Sequence, residues 1–504
     1  MATVLGLSGS LRNARFGAGN AKLTAELAQL ATEKDLTEFL AQQTKIRAED
    51  FIEAGRKDGK PFDETFKALG KLRGERGLSN SEASMAAALW GASKEGATID
   101  HVALAPHFPP NGKVKDAAGL KSRLMAADAL IVGGPVYFGD RGSLVQSLFD
   151  FIAGDPELKA SIKGKVYGGL AVGAKRNGGQ ETTLIFQMLD MLQMGAITIG
   201  NGHETTAQYG GTSVGGDVGT LAKDAYGIET CIGTGRRAAH VADMLARGGN
   251  GETLVNKLKL QVWLLQDAED QRGAKYFASW AKEMEARNPH VQVTLFNAAA
   301  SEVVRCIACD LCPTHLGERE DYRCIITSSD DFFVKHHRAL IEADAILVAA
   351  YSPENRGELK SVYQQFIERT RYLRRDNYVF DDLLAAPFVV SELEARQHLH
   401  VRMATSIIRH QTVVHRPLIG YVQDGRHLND DKVNRTADEF VALARRLVVG
   451  RLSQKDRSAP VYNPVGYEIS MAKSKEDAKS GRTAEVIGKV ASDRSAAGQR
   501  RIAS

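Results

Sequence analysis

Short apolar runs alternate with amphipathic stretches along most of this chain. Thr3–Leu7 is an apolar run, and Glu82–Lys94 carries its apolar residues at helical spacing. Further runs follow at Ile99–Leu104, Ala127–Val132, Val166–Val172 and Ala196–Ile199. Strands that are apolar on both faces and separated by helices predict a parallel sheet covered on each side.

The pattern then repeats. Ala343–Val348 reads Ala-Asp-Ala-Ile-Leu-Val, beside Ala-Asp-Ala-Leu-Ile-Val at Ala127–Val132. Around it, Leu258–Leu265, a helical Lys275–Ala286, Val291–Phe296, Pro387–Val390 and Pro417–Val422 match the first set in order. The expected fold class is α/β, with two doubly wound parallel sheets in tandem. The expected domains are residues 1–247 and 257–450, joined by the Gly-rich stretch Arg247–Gly251 as a linker. Residues 14–76 sit where a short loop belongs; their helical patterns (Leu23, Leu27, Leu30; Phe66, Leu69, Leu72) read as a helical insertion. Residues 471–504 hold few large apolar side chains and are expected to be disordered.

Composition narrows the class. The 504 residues are 43% apolar and 25% charged, with a net charge of +4. No concentrated basic face argues for nucleic acid. No apolar run approaches the roughly 20 residues of a membrane span. No basic leader precedes the first strand, so no signal peptide is read and a cytoplasmic location is expected.

Candidate chemistry lies at the strand ends. In a doubly wound sheet, ligands bind beyond the carboxyl ends of the strands. Ser8-Gly9-Ser10-Leu11-Arg12 follows the first strand, where a glycine turn and a helix N-terminus can cradle an anion. Ser79-Asn80-Ser81-Glu82 opens the next helix with N-cap character. If residues 14–76 are an excursion, both pieces meet at one phosphate-binding loop; alone, either is also an ordinary turn. Gly134-Pro135-Val136-Tyr137-Phe138-Gly139 follows the third strand and can flank a planar cofactor, or anchor the loop in the core. Gly173–Glu181 follows the fourth strand and can bring backbone amides to a ring edge.

Four of the five cysteines fall between Cys306 and Cys324. Without an export signal, such clustering favours a metal site over disulfides. Cys306, Cys309 and Cys312 at two-residue gaps, with Cys324, suit a [4Fe–4S] cluster; Zn²⁺ and an empty thiol set are the alternatives. Cys231 reads as an ordinary thiol.

Together these loops resemble the NAD(P)H-dependent FMN reductases, closest to the iron–sulfur flavoproteins and the tryptophan-repressor-binding-protein-like quinone reductases. The resemblance covers roughly residues 1–13 and 77–245 and implies a flavodoxin-like fold for both tandem sheets. It implies that Ser8, Ser10, Arg12, Ser79 and Ser81 hold the FMN phosphate. It implies that Pro135, Val136, Tyr137, Phe138 and Gly139 face the flavin ring, and that Gly173, Gly178, Gly179 and Gln180 border its pyrimidine side. The cysteine segment resembles that of the iron–sulfur flavoproteins, apart from the wider gap before Cys324. NAD(P)H as co-substrate and a homo-oligomer follow from the same resemblance.

The second half departs from the pattern. Its first loop, Gln266–Asp270, is acidic and would repel a phosphate. Its fourth-strand loop, Glu394–His398, lacks glycines. This half is not expected to bind FMN in the usual way. The run Arg369–Arg375 is basic and aromatic; it can receive an acidic carrier or a nucleotide phosphate, or form a solvated helix face.

Three functions fit these residues. The first is an FMN enzyme passing electrons from NAD(P)H or a reduced carrier to a quinone-like or other small acceptor, coupled to the cluster. The second is an electron-transfer module serving a ferredoxin-like carrier and a partner enzyme. The third is a structural paralogue whose cysteines hold zinc. No residue is singled out as a catalytic acid or base.

Overall fold

The computed structural model describes residues 1–11, 21–56, 77–203, 205, 207–309, 312, 322, 324–354, 359–375, 378–395, 398–454 and 501. The chain divides into two compact units, Met1–Asp243 and Met244–Ser504.

The first unit begins with β1 (Thr3–Ser8), then α1 (Ala21–Gln29), α2 (Glu33–Arg56), α3 (Asn80–Lys94) and β2 (Thr98–Ala103). It continues with α4 (Ala117–Ala126), β3 (Ala129–Tyr137), β4 (Asp140–Arg141), α5 (Ser143–Gly154), α6 (Pro156–Ile162) and β5 (Val166–Gly173). It closes with α7 (Gln180–Met194), β6 (Ile197–Thr198), β7 (Gly211–Val214) and α8 (Ala225–Arg247), within which the unit boundary falls. β1 pairs in parallel with β2 and β3, and β3 with β5. β6 extends β5 at Val166–Tyr167 and β7 extends it at Leu170–Gly173, so two short pieces share the fifth strand position. That is the 2-1-3-4-5 order of flavodoxin-like sheets. Apolar periodicity found β6 but not β7, because Gly-Thr-Ser-Val has no apolar run.

The second unit repeats the plan. Its elements are β8 (Leu258–Gln266), α9 (Arg272–Arg287), β9 (Val291–Asn297), α10 (Phe332–Leu340), β10 (Ala345–Ser352), α11 (Ser361–Arg369) and α12 (Arg371–Arg375). β11 (Leu384–Glu392), α13 (Leu399–Ile407), β12 (Val413–Val414), β13 (Leu418–Gln423), β14 (Arg426–His427) and α14 (Asp430–Ser453) complete it. β8 lies between β9 and β10, and β10 pairs β11. The fifth position is again split, with β12 on Leu384–Ala385 and β13 on Phe388–Glu392. Both central strands β5 and β11 are buried along their whole length, as a sheet covered on two faces requires.

Two details of the second unit bear on the sequence expectations. The glycine stretch is not a free linker. Gly248 packs so tightly on α14 that a Cβ would meet the Arg446 carbonyl at 2.0 Å. Of the tail, Arg501 is described, and it forms a two-pronged pair with Asp344, whose side chain is 1% exposed. The rest of residues 471–504 lies outside the described residues. Of the insertion, α1 and α2 are helical as expected, while Phe66, Leu69 and Leu72 lie outside the described residues. Trp90 Nε1 donates to the Leu30 carbonyl at 2.9 Å, fastening the end of α1 to α3. No described helix is long and apolar enough to cross a membrane.

Candidate flavin and cysteine sites

Packing brings the end of β1 and the start of α3 together. Met85 on α3 stands 2.7 Å from where a Cβ on Gly6 would be. Five residues back along the helix is about 7.5 Å, and two forward along the strand is about 6.6 Å. The N-terminus of α3 therefore comes level with Ser8–Gly9. Gly9 donates its N–H to the Gly133 carbonyl at 2.7 Å, and a Cβ there would strike Val145 at 2.4 Å. Only glycine lets this loop lie against the end of β3.

The serines divide. Ser8 is fully buried, and its hydroxyl sits 2.9 Å from His101 Nε2 on β2. That hydroxyl is engaged with the neighbouring strand. Burial pushes His101 down to about 4, so the imidazole is neutral. Ser79 caps α3: its Oγ accepts from the Glu82 N–H at 3.3 Å, and Glu82 Oε2 accepts from the Ser79 N–H at 3.0 Å. Its side chain is likewise engaged in the fold, in a reciprocal capping box. Ser10 and Ser81 lie at the loop and in the first turn of α3, 7% and 5% exposed. Arg12 lies outside the described residues. Asn80 ties the helix start to the loop after β7, donating to the Asp217 carbonyl at 2.7 Å. The insertion reaches the same loop, where a Cβ on Gly219 would meet the Thr44 carbonyl of α2 at 2.6 Å.

The third-strand loop is a tight hairpin. Val136 pairs Arg141 and Tyr137 pairs Asp140, leaving Phe138 and Gly139 as the two central residues. Both have positive φ, +52° and +79°, as a type I′ turn demands. A phenylalanine in that backbone region is strained by about 1–2 kcal/mol, yet Phe138 is wholly exposed and Tyr137 is 53% exposed. The two aromatics at this tip are therefore surface residues and not anchors in the core.

The fourth-strand loop closes on that hairpin. Gly179 has φ +94°, and a Cβ there would lie 2.8 Å from Gly139 Cα and 3.2 Å from Val136 Cγ1. Two loops far apart in sequence thus touch backbone to backbone. Gln180 shapes the second loop from inside: its Nε2 donates to the carbonyls of Lys175 (2.9 Å) and Ser213 (3.2 Å), and its Oε1 accepts from the Gly178 N–H (2.8 Å). Its amide stands against Gly173, where a Cβ would meet Nε2 at 2.4 Å. Gln180 therefore holds the loop rather than offering its amide outward. Arg176 is fixed by an ion pair to Asp224 and by donation to the Thr212 carbonyl at 3.0 Å. A cleft of about 310 Å³ opens here, lined by Arg176, Asn177, Gly179, Gln180, Thr212 and Tyr226 among others.

These residues suit FMN: a helix N-terminus for the phosphate, an exposed aromatic turn for a ring face and a glycine loop for a ring edge. Strand order and loops together define a flavodoxin-like nucleotide-binding protein. Residues 70–209 match the family described as NADPH-dependent FMN reductase. An iron-sulfur flavoprotein of Methanocaldococcus jannaschii is 34% identical over 134 residues, which is 27% of this chain and 68% of that protein. An NAD(P)H dehydrogenase (quinone) of Bradyrhizobium diazoefficiens is 31% identical over 187 residues, 32% of this chain and 92% of that one. The solved flavodoxin, WrbA-like protein from Agrobacterium tumefaciens is 24% identical, covering 32% of this chain and 87% of its own, with a TM-score of 0.24. That score is too low to bear on the fold, which rests on the strand order. The chain belongs to the NADPH-dependent FMN reductase family and is an oxidoreductase that uses FMN and NAD(P)H.

The matching loops of the second unit are closed by its own side chains. The buried Asp267 carboxylate accepts the N–H groups of Ala268 (2.7 Å), Gly273 (2.8 Å) and Ala274 (2.8 Å), where an anion would otherwise meet α9. Glu392 accepts from the Tyr351 hydroxyl (2.9 Å) and the Glu354 N–H (3.0 Å) and pairs with Arg272.

The cysteines lie beyond β9. Cys312 and Cys324 are buried, and Cys306 and Cys309 are half-buried. Burial pushes the Cys312 thiol up to about 11; Arg375 pulls it down, and each of the other three cysteines raises it. The four sulfurs therefore share one electrostatic neighbourhood. The Ala308 N–H points at Cys306 Sγ, 3.4 Å away, in a turn where Ala308 has φ +52°. Among the described residues, no three His, Cys, Asp or Glu side chains are gathered as a metal site. The donor chemistry nonetheless suits an anionic metal–thiolate centre. Cys231 is fully buried beside Ser213 and pushed up to about 11 by burial, an inert core thiol.

Proposed function

We propose that the first unit binds one FMN across the loops after β1, β3 and β5. Electrons arrive from NAD(P)H or a reduced carrier and leave to a quinone-like or other small acceptor. The observation that carries this reading is the contact of the exposed Tyr137–Gly139 turn with the Gly179 loop. FMN bound there would supply hydride acceptance and single-electron release. The chain's own residues do the rest. The N-terminus of α3 with Ser10 and Ser81 holds an anion, Tyr137 and Phe138 cover a planar ring from water, and the amides of Gly173–Gly179 meet its polar edge. Among the described residues, no side chain here is positioned as an acid or base.

Cys306, Cys309, Cys312 and Cys324 hold a [4Fe–4S] cluster in the second unit, which supplies one-electron chemistry. Its partners are a small-molecule acceptor or a ferredoxin-like carrier and further copies of the same chain, in the cytoplasm. The experiment is anaerobic purification with FMN, iron, sulfide and zinc counted per chain. One FMN with about four iron and four sulfide supports both assignments. FMN with zinc or no metal retains the flavin enzyme and removes the cluster; no FMN removes the main claim.

A further inference from the structure

The basic run Arg369–Arg375 is neither a solvated face nor a docking patch at its key positions. Arg369 is 1% exposed, Tyr372 2% and Arg375 3%. Arg369 Nη1 donates to Cys324 Sγ, and Nη2 donates to the Tyr322 hydroxyl at 3.0 Å and to Asp331 Oδ2 at 2.6 Å. Its guanidinium lies 5.2 Å from the Phe333 ring and 5.9 Å from that of Tyr372. Asp331 Oδ1 also accepts the Val304 N–H at 2.9 Å, two residues before Cys306. One buried cation thus ties together the last cysteine, the segment leading to the first, and the facing ends of α10 and α11.

Four neutral thiols need no counter-charge. Four thiolates around a metal core are an anion, and a buried anion needs a cation beside it. We propose that Arg369 is the internal counter-charge of the cysteine cluster and the positioning residue for Cys324. This rests on the cluster reading above. A positive charge stabilises the electron gained on reduction, so Arg369 raises the cluster's reduction potential.

The test uses full-length protein purified anaerobically, with iron and sulfide counted and the potential followed by EPR-monitored redox titration. Wild-type protein without iron removes the cluster reading and this inference with it. With iron in the wild type, Arg369→Gln keeps amide donors but no charge, and its potential shifts to more negative values. Arg369→Lys restores the charge and returns the potential towards wild type. Should Arg369→Gln not fold, Asp331→Asn removes the carboxylate that offsets Arg369, and its potential shifts to more positive values. Iron-loaded charge-neutral variants titrating at the wild-type potential overturn the proposal while leaving the cluster in place.

Discussion

Replacing Gly179 with alanine tests whether the two loops that touch there border the flavin. The position has φ +94°, and the new Cβ would lie 2.8 Å from Gly139 Cα and 3.4 Å from Gly139 N. Neither neighbour is a flexible side chain, so the hairpin tip and the fourth-strand loop must separate. The left-handed backbone costs an alanine about 1–2 kcal/mol, and the overpacked contact adds about 1–3 kcal/mol. About 2 kcal/mol of this falling on the flavin-bound geometry corresponds to a roughly 30-fold weaker FMN Kd. Quenching of flavin fluorescence on titrating apoprotein gives the Kd, and thermal unfolding of the apoprotein gives the cost borne without ligand. A Tm lowered by several degrees with an unchanged Kd would refute the reasoning: the contact would be structural, and the flavin would lie elsewhere.

Three further outcomes are expected. Arg501→Met leaves the Asp344 carboxylate with the Lys259 N–H at 2.9 Å and Arg451 at 3.7 Å. Breaking a buried pair costs about 3–5 kcal/mol; with those partners remaining, about 2 kcal/mol is expected by denaturant unfolding, and no loss would mean the tail is not anchored. His101 is held at about 4 against 6.5 for the free side chain, so the unfolded chain takes up its proton first as pH falls. Its contribution is complete above about 6.5 and is lost progressively down to about 4, some 3 kcal/mol in order of magnitude. His101→Gln should flatten the acid limb of unfolding monitored on the first unit, and an unaltered limb would show that His101 is not the group responsible. Reconstituted protein should bind one FMN per chain, because Asp267 already occupies the amides that a phosphate would need in the second unit. A ratio of two would show that the carboxylate yields to the ligand.

Local pattern and composition determined the tandem α/β plan, the duplicated strands, the cysteine set and the loops worth attention. Strands buried on both faces must be apolar throughout, and a buried helix stripe must recur at 3.6 residues, so these elements are legible in one dimension. The same pattern missed β7, whose four residues earn their place through pairing with β5 rather than apolarity. It also could not say where a polar side chain points. Ser8 faces His101, Ser79 caps its own helix, and Gln180 folds back on its loop, because each is nearer an internal partner than the solvent. Arg369 reads as a surface charge in a basic run, yet Asp331 and Cys324, 38 and 45 residues away, draw it into the core. Asp267 reads as repulsion and acts as a plug. Residue types restrict which chemistry a chain can perform. Which of those groups are free to perform it depends on hydrogen-bond partners brought together only by the sheet, since a buried polar atom must be satisfied by whatever lies within about 3 Å of it.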